Sequence, residues 1–198
     1  MSLFETIGAV VGIIYLILEY RANRWLWLFG ALMPLFYIYI FFKQQLYANA
    51  AINVYYLGAS VYGAVCWAKA ARNTEQSSSE LTPTRMPSHM WWMLAVVAIL
   101  LTLLITLLLH QLGESSEALI DGLTTALSIV GMWMMAKRYY QQWICWMVVE
   151  PLMVLLSIRT GMYPTAIMYL VYCVIVWLGY RRWKNLYEQS QPTQGLSS

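Results

Sequence analysis

Seven long apolar runs, separated by short polar segments, divide the chain. They cover residues 4–19, 25–42, 47–68, 90–109, 119–136, 143–158 and 163–180. Each run is close to the length of a helix that crosses a bilayer, which needs about 20 apolar residues. None shows the strict alternation over about ten residues that marks a strand of an outer-membrane barrel. The pattern therefore predicts an all-α, polytopic membrane protein with seven transmembrane helices.

The composition agrees with a chain that folds in lipid. Hydrophobic residues make up 61% of the sequence and charged residues 11%, whereas ordinary soluble domains contain about 25% charged residues. The formal net charge of +3 comes from basic residues in short loops, so it does not predict a nucleic-acid partner. Cys66, Cys145 and Cys173 lie in or beside apolar runs and have no metal-site spacing. We therefore expect the lipid bilayer as a partner, and neither a metal nor a cofactor.

Basic residues are distributed unequally between the two ends of the predicted helices. Of the twelve Lys and Arg residues, ten fall on one side, and only Lys43 and Arg159 fall on the other. Short loops rich in Lys and Arg face the cytoplasm. The distribution predicts an N-terminus outside and a C-terminus in the cytoplasm.

The first three runs resemble the last three. A shift of 116 residues aligns Arg21 with Lys137, Trp27 with Trp143, Lys43 with Arg159, Tyr47 with Tyr163, Gly63 with Gly179 and Trp67 with Trp183. The extra run between these two three-helix repeats makes them parallel, in a 3+1+3 order. The predicted domains are a first repeat at 1–70, a cytoplasmic loop and linker helix at 71–113, a second repeat at 114–184 and a polar cytoplasmic tail at 185–198.

The sixth run carries a carboxylate near its centre, at Glu150. A charge in hydrocarbon is costly and is kept where it has a partner or faces a cavity. All Lys and Arg residues lie at helix ends or in loops, and Pro151 removes a backbone donor at the same depth. Three interpretations stay open. The carboxyl group is protonated, is hydrogen-bonded to nearby hydroxyl groups, or faces a cavity and contacts a cationic ligand.

Further polar and aromatic residues inside the runs are candidates for binding that ligand: Asn53, Tyr56, Ser60, Trp146, Tyr169 and Tyr172. Asn53, Tyr56 and Ser60 are spaced i, i+3, i+7 and so share one helix face. Tyr169 and Tyr172 are spaced i, i+3 on the last run. Aromatic faces attract cations by roughly 0.5–2 kcal/mol each. The alternative is structural, because tyrosine and tryptophan also gather at the membrane interface.

The motifs of intramembrane and nucleotide-hydrolysing enzymes do not occur. The segment GASVYG at residues 58–63 is one residue too long for a G-x-S-x-G nucleophile elbow, and no histidine lies deep enough in a run to act as its base. Neither H-E-x-x-H nor a Walker A phosphate loop is present. We therefore expect no enzyme activity and no catalytic residues.

Two segments carry a more specific similarity, LYANAAINVYYLGASVYG at residues 46–63 and LSIVGMWMMAKRYYQQWICW at residues 127–146. With the 3+1+3 order, they resemble the Pnu family of vitamin transporters, bacterial inner-membrane proteins related to the sugar-transporting SWEETs. The resemblance covers residues 4–183. It implies uptake of a vitamin precursor by facilitated diffusion with alternating access, trapping inside the cell by phosphorylation, and a homotrimer.

The resemblance implies one of two cationic vitamins as cargo, thiamine or nicotinamide riboside. The nicotinamide riboside pattern has Asn at the positions of Glu150 and Met33-Pro34, and Gln and Asn at those of Asn53 and Ser60. The segments LEYRAN, MP and INVYY are more similar to the thiamine branch. We therefore expect a thiamine transporter, with nicotinamide riboside as the alternative. A membrane scaffold or receptor without transport activity is a more remote alternative.

Overall fold

The computed structural model describes residues 3–43, 47–73, 81–112 and 117–191. They form seven helices: α1 (Leu3–Tyr20), α2 (Leu26–Lys43), α3 (Tyr47–Asn73), α4 (His89–Leu112), α5 (Ala118–Ala136), α6 (Gln142–Arg159) and α7 (Tyr163–Ser190). The prediction of an all-α chain with seven helices is confirmed. Three of the described segments are long and apolar enough to cross a membrane, His89–Gln111, Ala118–Ala136 and Gln142–Arg159.

Large apolar side chains on the helices are exposed, as expected where lipid replaces water as the solvent. On α4, Trp92 is 81% exposed, Leu100 60% and Leu107 61%. Soluble monomers rarely expose apolar surface continuously along a whole helix. The side chains of α4 therefore support a position in the bilayer.

The chain divides into two compact units, Met1–Pro83 and Thr84–Ser198. In the first unit, α2 packs against both α1 and α3. In the second, α5 packs against α4 and α6, and α6 packs against α7. The helix predicted as a linker, α4, thus packs within the second unit, where Leu94 and Ala98 join Val130 and Met134 of α5 in an apolar core.

The turn after α1 has a backbone conformation that is unusual for a residue with a side chain. Ala22 has a φ of 52°. Its N–H donates to the carbonyl of Glu19 at 2.9 Å, and the N–H of Asn23 donates to that of Leu18 at 2.9 Å. This pair of bonds is a Schellman motif, which satisfies carbonyl groups at a helix end. The carbonyl of Ala22 in turn accepts from the N–H of Leu81 at 2.9 Å.

The turn after α5 repeats this motif at positions shifted by 116 residues. Arg138 has a φ of 63°. Its N–H donates to the carbonyl of Met135 at 2.9 Å, and the N–H of Tyr139 donates to that of Met134 at 3.0 Å. The carbonyl of Arg138 accepts from the N–H of Thr84 at 2.8 Å. The internal repeat predicted from the sequence therefore extends to individual backbone hydrogen bonds.

A tryptophan–glycine–tryptophan contact also occurs once in each unit. It consists of Trp27, Gly63 and Trp67 in the first unit and of Trp143, Gly179 and Trp183 in the second. The two indole rings of each pair lie 5.8 Å apart, at interplanar angles of 81° and 86°. A β-carbon on either glycine would overlap the facing tryptophan ring. These glycines allow α3 to approach α2, and α7 to approach α6.

Helix α7 is longer than its apolar run. Residues 185–190, predicted to belong to a polar tail, continue the helix to Ser190. Lys184 Nζ lies 3.7 Å from Glu188 Oε1, one turn further on, and the ring of Tyr187 packs against that of Tyr140 at 5.5 Å. These contacts support a helical extension that hydropathy does not predict, and the rest of the predicted tail, 192–198, lies outside the described residues.

Candidate functional site

Glu150 lies in the middle of α6, on the same helix face as Gln142 and Trp146, because the three are spaced i, i+4, i+8. Its side chain is buried, and Oε2 has no hydrogen-bond partner among the residues that the structure describes. The helix continues through Pro151, which has no N–H to donate to the carbonyl of Met147. This part of α6 therefore presents acceptor oxygen atoms, as expected of a site for a cation.

The indole ring of Trp146 is held on two sides. Its Nε1–H donates a short hydrogen bond to Oε1 of Gln142, a side chain that is 0% exposed. On the other side α5 approaches at Gly131, where a β-carbon would lie 3.5 Å from Cε2 of Trp146 and 3.3 Å from Cβ of Cys145. The hydrogen bond and the close approach of α5 together fix the ring orientation.

Gln142 was not among the residues predicted from the sequence. The signal that could have found it is its position, four residues before Trp146 and eight before Glu150. A glutamine at the start of an apolar run is usually a solvated helix end. Only the structure shows that this side chain is buried and accepts a hydrogen bond from the indole.

Helix α7 contributes two of the predicted aromatic residues to the same unit. Tyr172 and Cys173 interact electrostatically with the carboxylate of Glu150. The ring of Tyr169 lies 6.0 Å from that of Tyr172 at an angle of 85°. Tyr172 thus lies within electrostatic range of Glu150, with Tyr169 packed beside it.

The three predicted residues of α3 lie in the first unit. Asn53 and Ser60 are buried and Tyr56 is half-buried, with its ring 5.6 Å from that of Tyr55. The hydroxyl of Ser60 donates to the carbonyl of Tyr56 at 2.9 Å. Ser60 also lines a cavity of about 420 Å³ that Arg24 borders. The hydroxyl group of Ser60 therefore donates its hydrogen bond within α3 and not to the cavity.

Helix α2 approaches both of its neighbours at Gly30. A β-carbon there would lie 3.1 Å from Cε2 of Tyr15 on α1 and 3.3 Å from Oγ of Ser60 on α3. Gly30 and Trp146 are equivalent in the repeat, as are Tyr15 and Gly131. In the first repeat, then, the ring belongs to α1 and the glycine to α2. In the second repeat the glycine belongs to α5 and the ring to α6.

Basic side chains pair with acids at helix ends, away from the centre of α6. Arg159 Nη1 donates to both carboxylate oxygens of Glu117 at 3.0 Å, and Lys184 pairs with Glu188. Within the described parts of the chain, no group of three or more His, Cys, Asp or Glu side chains is placed to hold a metal ion. The chemistry of the α6–α7 site is thus that of an acid beside aromatic rings.

Comparison with known proteins relates the chain to transporters. A family model described as "Nicotinamide mononucleotide transporter" matches residues 2–185. The nicotinamide riboside transporter PnuC of Escherichia coli is 25% identical over 93% of this chain and 86% of its own length. The PnuC of Neisseria mucosa is 28% identical over 93% and 73%, and that of Haemophilus influenzae 26% identical over 96% and 82%.

A solved structure has the same fold. The crystal structure of the vitamin B3 transporter PnuC superposes with a TM-score of 0.70 at 25% identity, over 92% of this chain and 81% of the other. These relatives are named for nicotinamide riboside or vitamin B3. The comparisons therefore do not support the expected similarity to the thiamine branch.

Proposed function

Because the chain belongs to the nicotinamide mononucleotide transporter family, a family of membrane vitamin transporters, we propose that it carries nicotinamide riboside across the membrane. The observation that carries this proposal is the buried Oε2 of Glu150, which has no hydrogen-bond partner in the described residues. The pyridinium ring of nicotinamide riboside is a permanent cation, so it cannot become neutral by losing a proton. A carboxylate attracts the pyridinium ring by its opposite charge. The face of Trp146 or Tyr172 attracts the same ring by a cation–π interaction.

The charge at Glu150 favours the riboside over the mononucleotide. A phosphate group would bring negative charge towards a carboxylate, and like charges placed together cost several kcal/mol. No described residue hydrogen-bonds to Oε2 of Glu150, and the ion pairs of Arg159 and Lys184 lie at helix ends. The site on α6 and α7 therefore matches a cation without a phosphate.

Thiamine is the second candidate cargo. Its thiazolium ring is also a permanent cation, and Glu150 replaces the asparagine of the nicotinamide riboside pattern. A carboxylate attracts both cations, so charge alone does not separate them. The names of the relatives favour nicotinamide riboside.

Transport is proposed to be facilitated diffusion by alternating access in a bacterial inner membrane, with the C-terminus in the cytoplasm. The sequence contains no Walker A phosphate loop, and a single carboxylate at the centre of α6 is sparse for a proton relay. Phosphorylation inside the cell would then prevent efflux of the cargo. The proposal extends to a homotrimer, which a mass measurement of the detergent-purified protein would check.

The test is binding of nicotinamide riboside, thiamine and nicotinamide mononucleotide, measured side by side on detergent-purified protein. We expect nicotinamide riboside to bind most tightly and the mononucleotide most weakly. In liposomes, uptake of the bound compound should equilibrate down its gradient without ATP. Tighter binding of thiamine would reassign the cargo, and binding of neither cation by folded protein would overturn the proposal.

A further inference from the structure

A second cavity lies within the unit Thr84–Ser198, where α4 and α6 begin and the last turns of α7 pass. Its volume is about 520 Å³, within the range of roughly 300–1,000 Å³ typical of small-molecule sites. The residues that matter for its chemistry are Arg85, Trp91, Tyr140, Gln141, Tyr180 and Tyr187. None of the residues predicted to bind cargo lines it, so it is separate from the site around Glu150.

Two polar side chains in its wall are more than nine-tenths buried and have unused hydrogen-bonding groups. Gln141 is 5% exposed and Tyr140 is 9% exposed. Oε1 of Gln141 accepts from the N–H of Met86 at 3.1 Å, which fixes the side chain. The Nε2 group of Gln141 and the hydroxyl of Tyr140 have no hydrogen-bond partner among the described residues. Neither atom is among the fully buried unpartnered atoms of the described residues. Both donors therefore face the open space of the cavity, where a ligand can accept hydrogen bonds from them.

The charge of the cavity is positive. Arg85, an exposed residue of its wall, interacts electrostatically with Tyr140, as does Lys184. Burial raises the pKa of Tyr140 above its ordinary value, although the two cations oppose this shift. The phenol therefore keeps its proton at neutral pH and is a hydrogen-bond donor. A guanidinium, a phenol and a primary amide together present donors to an anion.

Aromatic rings form the remaining wall. The ring of Tyr140 lies 5.5 Å from that of Tyr187 at 34° and 5.9 Å from that of Tyr180 at 58°. Trp91 lines the same cavity and is 42% exposed. Flat heterocycles stack on such surfaces, at about 1–3 kcal/mol for a nucleobase. The cavity thus combines an anion site with an aromatic surface.

We propose that this cavity binds a nucleoside monophosphate, with the phosphate at Arg85, Tyr140 and Gln141 and the base against the aromatic wall. With the proposed orientation of the chain, the cavity lies on the cytoplasmic side. Its charge preference is opposite to that of the Glu150 site, which favours a cation. The inference does not depend on which vitamin the chain carries.

The experiment uses the full-length protein in detergent and calorimetric binding of adenosine monophosphate, nicotinamide mononucleotide and inorganic phosphate. Arg85→Gln removes the cation, and Gln141→Glu keeps the acceptor for Met86 but brings a carboxylate to the phosphate. Arg181→Gln is the matched control, because Arg181 is an exposed cation of α7 that does not line the cavity. Nicotinamide riboside is titrated into the same samples.

We expect at least one mononucleotide to bind the parent more tightly than phosphate does. Arg85→Gln and Gln141→Glu should each weaken that binding about ten-fold or more, because each alters a charge-assisted contact. Arg181→Gln should change it by less than about two-fold, since exposed charges are screened by salt. The better of the two mononucleotides identifies the base that the wall accepts.

The proposal is overturned if neither mononucleotide binds folded parent protein, or if Arg181→Gln weakens binding as much as Arg85→Gln. Equal affinity for inorganic phosphate, or for the headgroup of detergent-solubilised phosphatidylglycerol, would also overturn it, because the aromatic wall would then have no role. Binding of nicotinamide riboside should be unaffected by all three substitutions. If nicotinamide riboside does not bind the parent protein, that result contradicts the proposed cargo and leaves the proposed mononucleotide site unaffected.

Discussion

Glu150 has a buried carboxylate oxygen without a described hydrogen-bond donor, on a helix long and apolar enough to span the bilayer. Such a group is stable only if another contribution offsets the desolvation of its charge. On the proposed function, a bound cationic ligand would supply that contribution. At the scale of the residue, we therefore expect cargo binding to relieve the unfavourable burial of this group.

Glu150→Gln keeps the shape of the side chain and removes its charge. Since a charge-assisted contact exceeds a neutral one by about 1–2 kcal/mol, affinity for nicotinamide riboside should fall about ten-fold or more. The free energy of unfolding should change little or rise, because a buried charge is removed. Calorimetric binding and thermal unfolding in detergent measure the two effects. Parent-like affinity in a folded, monodisperse variant would remove Glu150 from the site.

Gln142 is expected to act on cargo binding through the ring of Trp146. Gln142→Met removes the acceptor of the indole N–H, frees the ring to rotate and should weaken cargo binding several-fold. In protein that already carries Trp146→Phe, which has no N–H, the same substitution should have a smaller effect. A double-mutant cycle of binding affinities measures this coupling. Additive losses would show that Gln142 acts by another route.

Glu150 and Trp146 could be proposed as site residues from the sequence, since a charge or an indole inside an apolar run is visible from composition and spacing. The sequence did not find Gln142, because burial at a helix start depends on which helices pack around it. Nor could it show that the hydroxyl of Ser60 bonds to its own helix. Hydrogen-bond partners depend on side-chain orientation, which spacing does not fix.

At the scale of the helices, two contacts of a tryptophan with a glycine set how closely neighbours pack. Trp27 meets Gly63 between α2 and α3, and Trp143 meets Gly179 between α6 and α7. Lipid gives little driving force for association of apolar helices, so close packing at small residues is a main source of stability. Nε1 of both tryptophans is buried without a hydrogen-bond partner in the described residues. The two rings thus contribute to packing through their shape and not through a hydrogen bond of Nε1.

Gly63→Ala and Gly179→Ala should each destabilise the protein by about 1–3 kcal/mol, because the added β-carbon overlaps a tryptophan ring. Gly58 is the matched control on α3, since a β-carbon there meets nothing within 4 Å. Gly58→Ala should be neutral or stabilise the helix by about 0.5–1 kcal/mol. Thermal unfolding in detergent compares the three variants. A Trp27→Phe exchange should recover part of the loss in Gly63→Ala, and no recovery would argue against a steric cause.

Helix number followed from the apolar runs, because each run is long enough to specify one helix. Helix ends were less predictable. The turns at Ala22 and Arg138 carry no glycine, although positive φ values of 52° and 63° favour it, so composition gave no signal there. The extension of α7 to Ser190 depends on an ion pair and a tyrosine contact, neither of which contributes to hydropathy.

For the whole molecule, orientation in the membrane stays a prediction based on the distribution of basic residues. Reporter fusions after Arg24, Arg72, Arg138 and Lys184 should report the cytoplasm. Fusions after Lys43, Gly113 and Arg159 should report the outside, because ten of the twelve basic residues would otherwise be translocated. Activity of a phosphatase reporter, active only outside, distinguishes the two sides. A C-terminus on the outside would contradict both this orientation and an odd number of spans that starts outside.

Each repeat has one contact between an aromatic ring and a glycine, and the two residue types occupy opposite helices in the two repeats. These contacts restrict which substitutions each repeat tolerates. Tyr15 fills the space above Gly30, and Trp146 fills the space beside Gly131. A second ring at either glycine would collide with the first, and loss of either ring would leave a void. Among relatives, positions 15 and 30 should therefore vary together, as should positions 131 and 146. The ring lies on the first helix of one repeat and on the second helix of the other. At these positions, therefore, a residue of one repeat cannot replace its equivalent in the other without a clash or a void.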